Sequence, residues 1–290
     1  MTDPLKAERF TWLASYPKSG NTYLRLLIQA YLANGYVDIN SITASVGDNT
    51  SFWFQSLSPV SLDKLTFNMK LLLRPAALLN QLHSINTSVR FIKTHHANAM
   101  VNGQPHLIPA DLTERAVYIV RDPRDVVSSL KTYMASEKGL SIDESAEKMA
   151  DPEYAIQSED GLPQILTSWS QHVKSWMGET RYPIAILRYE DLCAEPEKNL
   201  TELLQFCGLE VDENRVQSAV EACRIANLSR QEQVNGFRED RRIKVRKPFF
   251  YKGGSRWRNE LLPEIARKIE SDHMEMMQRF GYLDSEVAVA

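Results

Sequence analysis

Cysteine is scarce in this chain, and its pattern excludes a disulfide scaffold. The 290 residues contain three cysteines, Cys193, Cys207 and Cys223, and no two of them form a Cys-x-x-Cys pair. An odd number of cysteines cannot all pair within one chain, and these spacings match no zinc or redox motif. We therefore expect reduced thiols and a cytoplasmic protein.

Long hydrophobic runs and an excess of positive charge are also missing. Residues 1–6 lack the apolar core of a secretion signal, and no stretch approaches the about 20 apolar residues that a membrane helix needs. The formal net charge is -3, whereas nucleic-acid-binding domains are usually basic. We expect no membrane span and no nucleic-acid partner, so any polyanion must be bound by local clusters of charge.

What is present is the composition of a globular α/β protein, with 43% hydrophobic and 24% charged residues. Short β-prone runs alternate with amphipathic helical patterns along the chain. The runs are Thr11–Tyr16, Arg90–Thr94, Ala116–Val120 and Ile184–Tyr189. This alternation predicts an α/β fold with a single doubly wound, mostly parallel sheet flanked by helices, in one domain over residues 1–290. Residues 35–88 are predicted as loops and short helices, and Leu162–Met177 as one long amphipathic helix.

The first β-prone run is followed by a turn-rich loop and then by a helical pattern. Backbone N–H groups at such a junction point toward one spot, and the helix dipole makes that spot favourable for an anion. Gly20 allows close approach of the backbone, and Lys18 adds a full positive charge. Ser19, Asn21 and Thr22 add side-chain donors. The sequence thus predicts a P-loop-like anion-binding loop, with a structural turn and a solvated lysine as the alternative.

The loop departs from the Walker A pattern of triphosphate-binding proteins, which is G-x-x-x-x-G-K-[ST]. Lys18 precedes Gly20 instead of following it, and the earlier glycine is missing. The anion therefore need not be a magnesium-bound triphosphate. A P-loop-type small-molecule kinase using Mg-ATP nevertheless stays open as an alternative.

Residues 16–23, YPKSGNTY, resemble the 5′-phosphosulfate loop of the cytosolic sulfotransferases that use 3′-phosphoadenosine-5′-phosphosulfate (PAPS). The usual family loop ends Thr-Thr-Trp, where this chain has Asn21-Thr22-Tyr23. The resemblance implies that Lys18 meets the bridging and sulfuryl oxygens. It also implies that the loop N–H groups from Ser19 onward and the Thr22 side chain hold the 5′-phosphate. Matching segments follow in the family's order from Trp12 to Asn259.

A second anion site is predicted where the third β-prone run ends. Arg121 follows that run directly, at the edge where open α/β sheets bind ligands, and its planar fork suits phosphate. Residues 120–129, VRDPRDVVSS, resemble the family segment whose arginine and serine grip the 3′-phosphate of the nucleotide, which implies this role for Arg121 and Ser129. The alternative is a surface pair between Arg121 and a neighbouring aspartate.

A third resemblance lies in a basic stretch near the end of the chain. Residues 251–259, YKGGSRWRN, resemble the family signature Arg-Lys-Gly-x-x-Gly-x-Trp-Lys/Arg-Asn, which closes over the 3′-phosphate. This implies that Lys252 and Gly253 bind the nucleotide. Tyr251 replaces the signature's arginine, and the spacing from Lys252 to Trp257 is one residue short. Arg256 is the candidate for supplying the displaced charge. A polyanion-binding scaffold built on residues 238–258 is the other interpretation of this basic stretch.

The candidate general base is His95, at the end of the second β-prone run. A neutral imidazole accepts a hydroxyl proton near neutral pH, and strand alternation turns its neighbour His96 away if His95 faces the site. The resemblance implies that His95 is the base and that Lys93 lies beside the transferring group. It also implies that Tyr189 contacts adenine, and Tyr23 and Ser229 are further candidates near that ring.

Together these observations predict an enzyme that moves a sulfuryl group from PAPS to a phenol or alcohol by in-line displacement, with no metal. The expected catalytic residues are His95, Lys18 and Lys93. Aromatic residues such as Phe249 and Phe250 favour a small, apolar or aromatic acceptor. The oligomeric state, monomer or homodimer, is left open.

Overall fold

A computed structural model describes residues 9–85, 89–101, 103–133, 140–157, 161–239, 248–251 and 255–284. It contains seven strands among these residues, numbered here in chain order. They are β1 (Phe10–Ser15), β2 (Val46–Gly47), β3 (Arg90–Thr94), β4 (Thr113–Val120), β5 (Ala155–Gln157), β6 (Pro163–Ile165) and β7 (Ile184–Arg188). Five of them form one sheet in the order β2-β3-β1-β4-β7, and all neighbouring pairs are parallel.

Twelve α-helices surround the sheet in the part of the chain that is described. They are α1 (Asn21–Leu32), α2 (Ser51–Gln55), α3 (Phe67–Ser84), α4 (Pro123–Tyr133), α5 (Ile142–Ala150), α6 (Trp169–Met177), α7 (Tyr189–Ala194), α8 (Pro196–Phe206), α9 (Glu213–Ala222), α10 (Ile225–Asn235), α11 (Trp257–Glu260) and α12 (Pro263–Arg279). Within the described ranges, no helix combines the length and apolar character that crossing a bilayer requires.

The central strands are apolar on both faces because helices cover both faces. All six residues of β1 are buried. Trp12 and Tyr118 belong to one core, which includes residues of α4, α6 and α12, while Leu13 and Val117 belong to a second core with residues of α1, α8 and α9. Continuous apolar runs are expected of parallel strands buried on both faces. The predicted doubly wound α/β fold is confirmed.

The strand order places the carboxyl ends of β1, β3 and β4 side by side. β1 pairs with β3 on one side and with β4 on the other, and Ala14 lies opposite both Thr94 and Tyr118. The chain therefore reverses its winding direction beside β1, at the point where open α/β sheets bind ligands. The segments that follow these strands begin with Tyr16, His95 and Arg121.

Two secondary-structure predictions are wrong. Residues 67–84 form one helix, α3, although Pro75 lies inside it and removes a backbone donor. Residues 162–168 are not helical: Pro163–Ile165 pairs with β5 in a small antiparallel hairpin, and Thr167 has a left-handed φ of 60°. Helix α6 begins only after Ser168, whose side chain accepts the Gln171 N–H as an N-cap.

Candidate active site

The loop after β1 has a backbone that requires glycine at its last position. Gly20 is the N-cap of α1 with φ 98°, in the left-handed region that favours glycine. A Cβ built on Gly20 would lie 2.1 Å from Cδ2 of Tyr189, so a side chain would collide with that ring. Lys18 also has a positive φ, 67°. The loop thus turns sharply twice and passes directly against the Tyr189 ring.

Several donors in and beside this loop have no hydrogen-bond partner among the described residues. The first turn of α1 contains no acidic residue and no side-chain cap, which leaves its N–H groups directed at the loop. The Ser19 hydroxyl is buried without a hydrogen-bond partner, and so is Nε of Arg121. Buried donors are normally satisfied, and an anion would satisfy these. The residues present therefore fit an anionic ligand.

The two predicted anion sites are in contact. Nη1 of Arg121 donates to the Lys18 carbonyl at 3.1 Å, and the Arg121 guanidinium lies 4.6 Å from the centroid of the Tyr189 ring. The Lys18 ammonium lies 4.4 Å from the centroid of Phe249. A ligand bound by the loop would therefore also lie close to Arg121 and to the 248–251 segment.

Asn21 differs from the other loop residues in the direction of its side chain. Its amide donates to the Leu13 carbonyl at 2.9 Å and to the Ser15 hydroxyl at 3.3 Å. The side chain therefore connects α1 to the end of β1, and the backbone N–H is the donor of Asn21 that remains for an anion. The side-chain donor that the sequence pattern assigned to this residue is engaged elsewhere.

His95 lies beside the end of β1, where the predicted anion-binding loop begins, and has a defined tautomer. Nδ1 is 2.8 Å from the Ser15 carbonyl, and because a carbonyl can only accept, Nδ1 carries the proton. Nε2 is then an acceptor with an available lone pair. Burial lowers the pKa of His95 well below its usual range, and the charge of Lys93 lowers it further. The imidazole is therefore neutral at neutral pH, as a general base must be.

A second buried histidine, His172, contacts the backbone of His95. Nε2 of His172 is 3.1 Å from the His95 carbonyl and donates to it, so Nδ1 accepts the Tyr118 hydroxyl at 2.9 Å. The Tyr118 ring stacks on Trp176 with 5.8 Å between centroids. This chain of contacts fixes the backbone at His95 from the core side.

Neighbouring His96 is held by structural contacts. Its Nδ1 accepts the Ile165 N–H at 3.2 Å, and its carbonyl accepts Nε1–H of Trp176 at 3.1 Å. On the other side, Nε2 of His96 lies 4.0 Å from Asp48, a buried carboxylate paired with Arg74 at 2.6 Å. His96 thus packs between the small hairpin, α6 and this ion pair.

Acid should destabilise the fold through its buried histidines. Burial lowers the pKa of both His172 and His273 to about 4, while an unfolded histidine titrates near about 6.5. The unfolded chain therefore takes up protons first as the pH falls. We expect the free energy of unfolding to fall between about pH 6.5 and about pH 4, by up to about 1.4 kcal/mol per pH unit for each histidine. Urea unfolding at several pH values measures this.

The control for this prediction is His273→Gln, because His273 lies away from the candidate site, between Ser170 and Trp169. The variant should show a shallower loss of stability than the wild type over the same pH range. Equal slopes in the two proteins would contradict the assignment of the effect to this histidine.

The second anion site is more crowded than the sequence indicates. The hydroxyl of Tyr251 hydrogen-bonds to Ser129 and Arg256, and it lies in the field of Arg121. The Arg256 guanidinium stacks on the Tyr251 ring, 3.9 Å from its centroid. Lys252 and Gly253 lie outside the described residues, as does most of the basic stretch 238–258.

The predicted adenine contacts fall into two groups. Tyr189 and Tyr23 meet edge to face with 6.4 Å between centroids, and Tyr189 also touches Gly20 and Arg121. Ser229 is half-buried on α10, and no contact between described residues joins it to the others. Thr22 lies at the start of α1. Lys93 is half-buried and lies in β3.

Three residues that support the site were missed by sequence reasoning. Ser15, at the end of β1, contacts His95 through its carbonyl and its hydroxyl. The Glu232 carboxylate accepts the N–H groups of Phe249 and Phe250, at 2.6 and 2.9 Å. It thereby positions the Phe249 ring, which lies beside Lys18. Asp125 accepts the Trp257 N–H at 3.1 Å. No local sequence pattern around Glu232 or Asp125 indicates the partner that the residue contacts. For Ser15, the only signal is its position directly before the loop.

Comparison with known proteins identifies the family. A sequence profile described as "Sulfotransferase domain" matches residues 8–281. The chain belongs to the sulfotransferase family. Cytosolic sulfotransferase 10 of Arabidopsis thaliana is 25% identical over 269 residues, covering 89% of this chain and 75% of that protein. Human sulfotransferase 1E1 is 24% identical over 276 residues, covering 92% of this chain and 83% of that protein.

The fold of this sulfotransferase is also that of solved structures. Retinol dehydratase in complex with androsterone and the inactive cofactor PAP superposes with a TM-score of 0.61, at 19% identity, over 97% of this chain and 82% of that chain. The resemblance inferred from the sequence is confirmed, and the kinase alternative receives no support from these matches. Within the described ranges, no group of three or more His, Cys, Asp or Glu side chains is placed to hold a metal ion.

Proposed function

We propose that this sulfotransferase moves the sulfuryl group of PAPS to a hydroxyl of a small molecule, with His95 as general base. The observation that carries the proposal is the hydrogen bond from His95 to Ser15, because it places an imidazole with an unprotonated Nε2 directly beside the anion-binding loop. Solved structures of the same fold, retinol dehydratase and a mouse sulfotransferase, are complexed with PAP, which supports PAPS as the donor.

PAPS supplies the activated sulfuryl group, and the protein's task is to orient it and to stabilise charge. A bond forms between the acceptor oxygen and sulfur while the bond from sulfur to the bridging phosphate oxygen breaks. His95 takes the hydroxyl proton at Nε2. Lys18 and the loop N–H groups stabilise the negative charge that develops on the leaving phosphate oxygen, and Lys93 supports the sulfuryl oxygens.

Binding of the nucleotide is divided among the surrounding elements. The loop from Ser19 through Gly20, Asn21 and Thr22 takes the 5′-phosphate, and Arg121 and Ser129 take the 3′-phosphate with Lys252 and Gly253. Tyr189 and Tyr23, whose rings meet edge to face, contact the adenine ring. Ser229 approaches the same adenine. The hydrogen bond between Arg121 and the Lys18 carbonyl supports this division, because it makes the two phosphate positions adjacent.

The acceptor is a phenol or an apolar alcohol. Among the relatives, a flavonol 4′-sulfotransferase of Flaveria chlorifolia is 26% identical over 273 residues, and retinol dehydratase is complexed with retinol in one structure. The Phe237, Phe249 and Phe250 rings, which lie 4.7–5.0 Å apart beside Lys18, supply an apolar surface at the site. The protein acts in the cytoplasm, in line with its cytosolic relatives, as a monomer or homodimer.

Transfer of labelled sulfate from PAPS to a panel of phenols, sterols and primary alcohols tests this proposal. We expect labelled product with at least one acceptor, and we expect PAP to raise the melting temperature without magnesium. Stabilisation by Mg-ATP alone would support the kinase alternative instead. Heparin binding with no transfer to any acceptor would favour a polyanion scaffold.

A further inference from the structure

A buried carboxylate contacts the end of β3, where the chain reaches the candidate base His95. Asp48 directly follows β2, and its backbone N–H donates to the Lys93 carbonyl at 3.1 Å. The side-chain oxygen Oδ2 of Asp48 accepts the Thr94 hydroxyl at 2.6 Å. Asp48 is 4% exposed and Thr94 is 1% exposed, so water does not compete for this contact. A hydrogen bond to a buried carboxylate is short and strong.

The Thr94 hydroxyl joins this carboxylate to the backbone turn that contains His95. Because the hydroxyl proton is donated to Asp48, the hydroxyl oxygen is left as an acceptor, and it accepts the His96 backbone N–H at 3.0 Å. This second contact joins the residue before His95 to the residue after it. The carboxylate sets the rotation of the hydroxyl, and the hydroxyl then holds the turn.

Arg74 of α3 keeps the carboxylate in place. Its Nη2 donates to the same Oδ2 of Asp48 at 2.6 Å. Its other nitrogens are held as well, Nε by the Leu107 carbonyl at 2.9 Å and Nη1 by the Asn49 side-chain oxygen at 3.1 Å. In a buried ion pair the cost of desolvation offsets much of the attraction, so the pair is weak evidence for stability. What it provides here is a fixed acceptor for the Thr94 hydroxyl.

His95 is therefore held by contacts from three sides. The Ser15 carbonyl accepts Nδ1–H and orients the ring, while His172 donates to the His95 carbonyl. The bond from His96 to Thr94 holds the backbone on the remaining side. The direction of Nε2 depends on all three contacts. A shift of about 1 Å in a reacting group can cost about 100-fold in rate, so the supports of a general base affect turnover.

We propose that Thr94 and Asp48 are positioning residues for sulfuryl transfer. Asp48 orients the Thr94 hydroxyl, and this hydroxyl holds the turn from which His95 directs Nε2 to the acceptor hydroxyl. Neither residue touches the nucleotide or the acceptor in this role. The inference rests on the proposed function and deepens it, because it adds a support to the base that the function requires.

Thr94→Val tests the inference, because valine keeps the branched shape and removes the hydroxyl. We expect the single-turnover rate of transfer from labelled PAPS to fall by about 10- to 100-fold, since the base loses its fixed position. The affinity for adenosine 3′,5′-bisphosphate (PAP), measured by calorimetry, should change by less than about 3-fold, since no contact to the nucleotide is removed. Thr94→Ala removes the same hydroxyl without a methyl group against the carboxylate. It should show the same loss of rate, and it decides the question if Thr94→Val does not fold.

The rescue variant and the control separate positioning from stability. Thr94→Ser keeps the hydroxyl and should keep the transfer rate within about 3-fold of the wild type. Thr113→Val is the matched control: this hydroxyl is also buried, donates to the Pro109 carbonyl at 2.7 Å and accepts Nε1–H of Trp12 at 2.8 Å. Thr113 lies at the start of β4, the opposite end from Arg121. Its variant should lower the melting temperature and leave the transfer rate unchanged.

A double-mutant cycle shows whether Thr94 acts through His95. In the His95→Asn background there is no base to position, so adding Thr94→Val should cause no further loss of rate. Losses that multiply in the double variant would contradict the inference, because they would mean that Thr94 acts independently of His95.

Two other results would overturn the inference while sulfuryl transfer by the wild type stands. One is an unchanged rate in folded Thr94→Val, and the other is an equal loss of rate in Thr113→Val, which would indicate general destabilisation. If the wild type transfers no label to any acceptor of the panel, the proposed function fails and this inference fails with it. The wild-type measurement alone distinguishes these failures.

Discussion

Lys18→Ala is expected to lower the rate of sulfuryl transfer by about 10²–10³-fold, the usual cost of removing one donor that stabilises transition-state charge. Lys18 is the charged side chain of the loop after β1, and its positive φ of 67° makes the loop turn at this residue. Its ammonium lies 4.4 Å from the centroid of the Phe249 ring, and the proposed function assigns it to the leaving phosphate. Single-turnover transfer from labelled PAPS measures the effect.

The controls for this variant separate chemistry from binding. Lys198→Ala removes an exposed lysine on α8 that is paired with Glu195 at 3.4 Å, and it should leave the transfer rate unchanged. The affinity of Lys18→Ala for PAP should fall much less than its rate, since the remaining N–H groups and Arg121 still hold the nucleotide. An unchanged transfer rate in Lys18→Ala would contradict the assignment of this loop as the site of transfer.

His95→Asn is expected to lower transfer by about 10²–10⁴-fold, the typical contribution of a general base. Asparagine can still donate a hydrogen bond toward the Ser15 carbonyl, which Nδ1 of His95 contacts at 2.8 Å, but it offers no basic nitrogen. The variant should therefore keep its fold and its affinity for PAP while losing turnover.

The pH profile provides a second readout for His95. Burial lowers the pKa of this imidazole, so the wild-type rate should stay high below the usual histidine pKa of about 6.5. The residual rate of His95→Asn should show no titration of this group. Loss of PAP binding in the variant, instead of loss of turnover, would mean that His95 has a structural role.

Local patterns were sufficient for the parts of the fold that local physics controls. The run from Thr11 to Tyr16 followed by a turn and a helical pattern predicts β1, the loop and α1, because each of these is determined by periodicity and turn chemistry within about 20 residues. The same reasoning predicts the position of Arg121 at the end of β4. The resemblance to the sulfotransferase family then implies which ligand these residues bind.

The two wrong secondary-structure predictions lie where tertiary packing overrides a local preference. Residues 35–88 are predicted as loops and short helices, yet α3 continues through Pro75, with Leu71, Ala77 and Leu78 buried on either side. The apolar spacing from Leu162 onward suggests a helix, but pairing with β5 draws Pro163–Ile165 into a hairpin. In both regions, contacts with elements distant in the chain decided the conformation.

The sequence by itself determined the sheet type, the turn between β1 and α1, and the identity of the residues at the strand ends, because these depend on neighbours along the chain. Tertiary structure decided which nitrogen of His95 carries the proton, since that depends on the Ser15 carbonyl. It also brought Tyr251 and Arg256 to Ser129, and Glu232 to the N–H groups of Phe249 and Phe250. Hydrogen bonds and charges act across short distances in space, and only the folded chain makes those distances short.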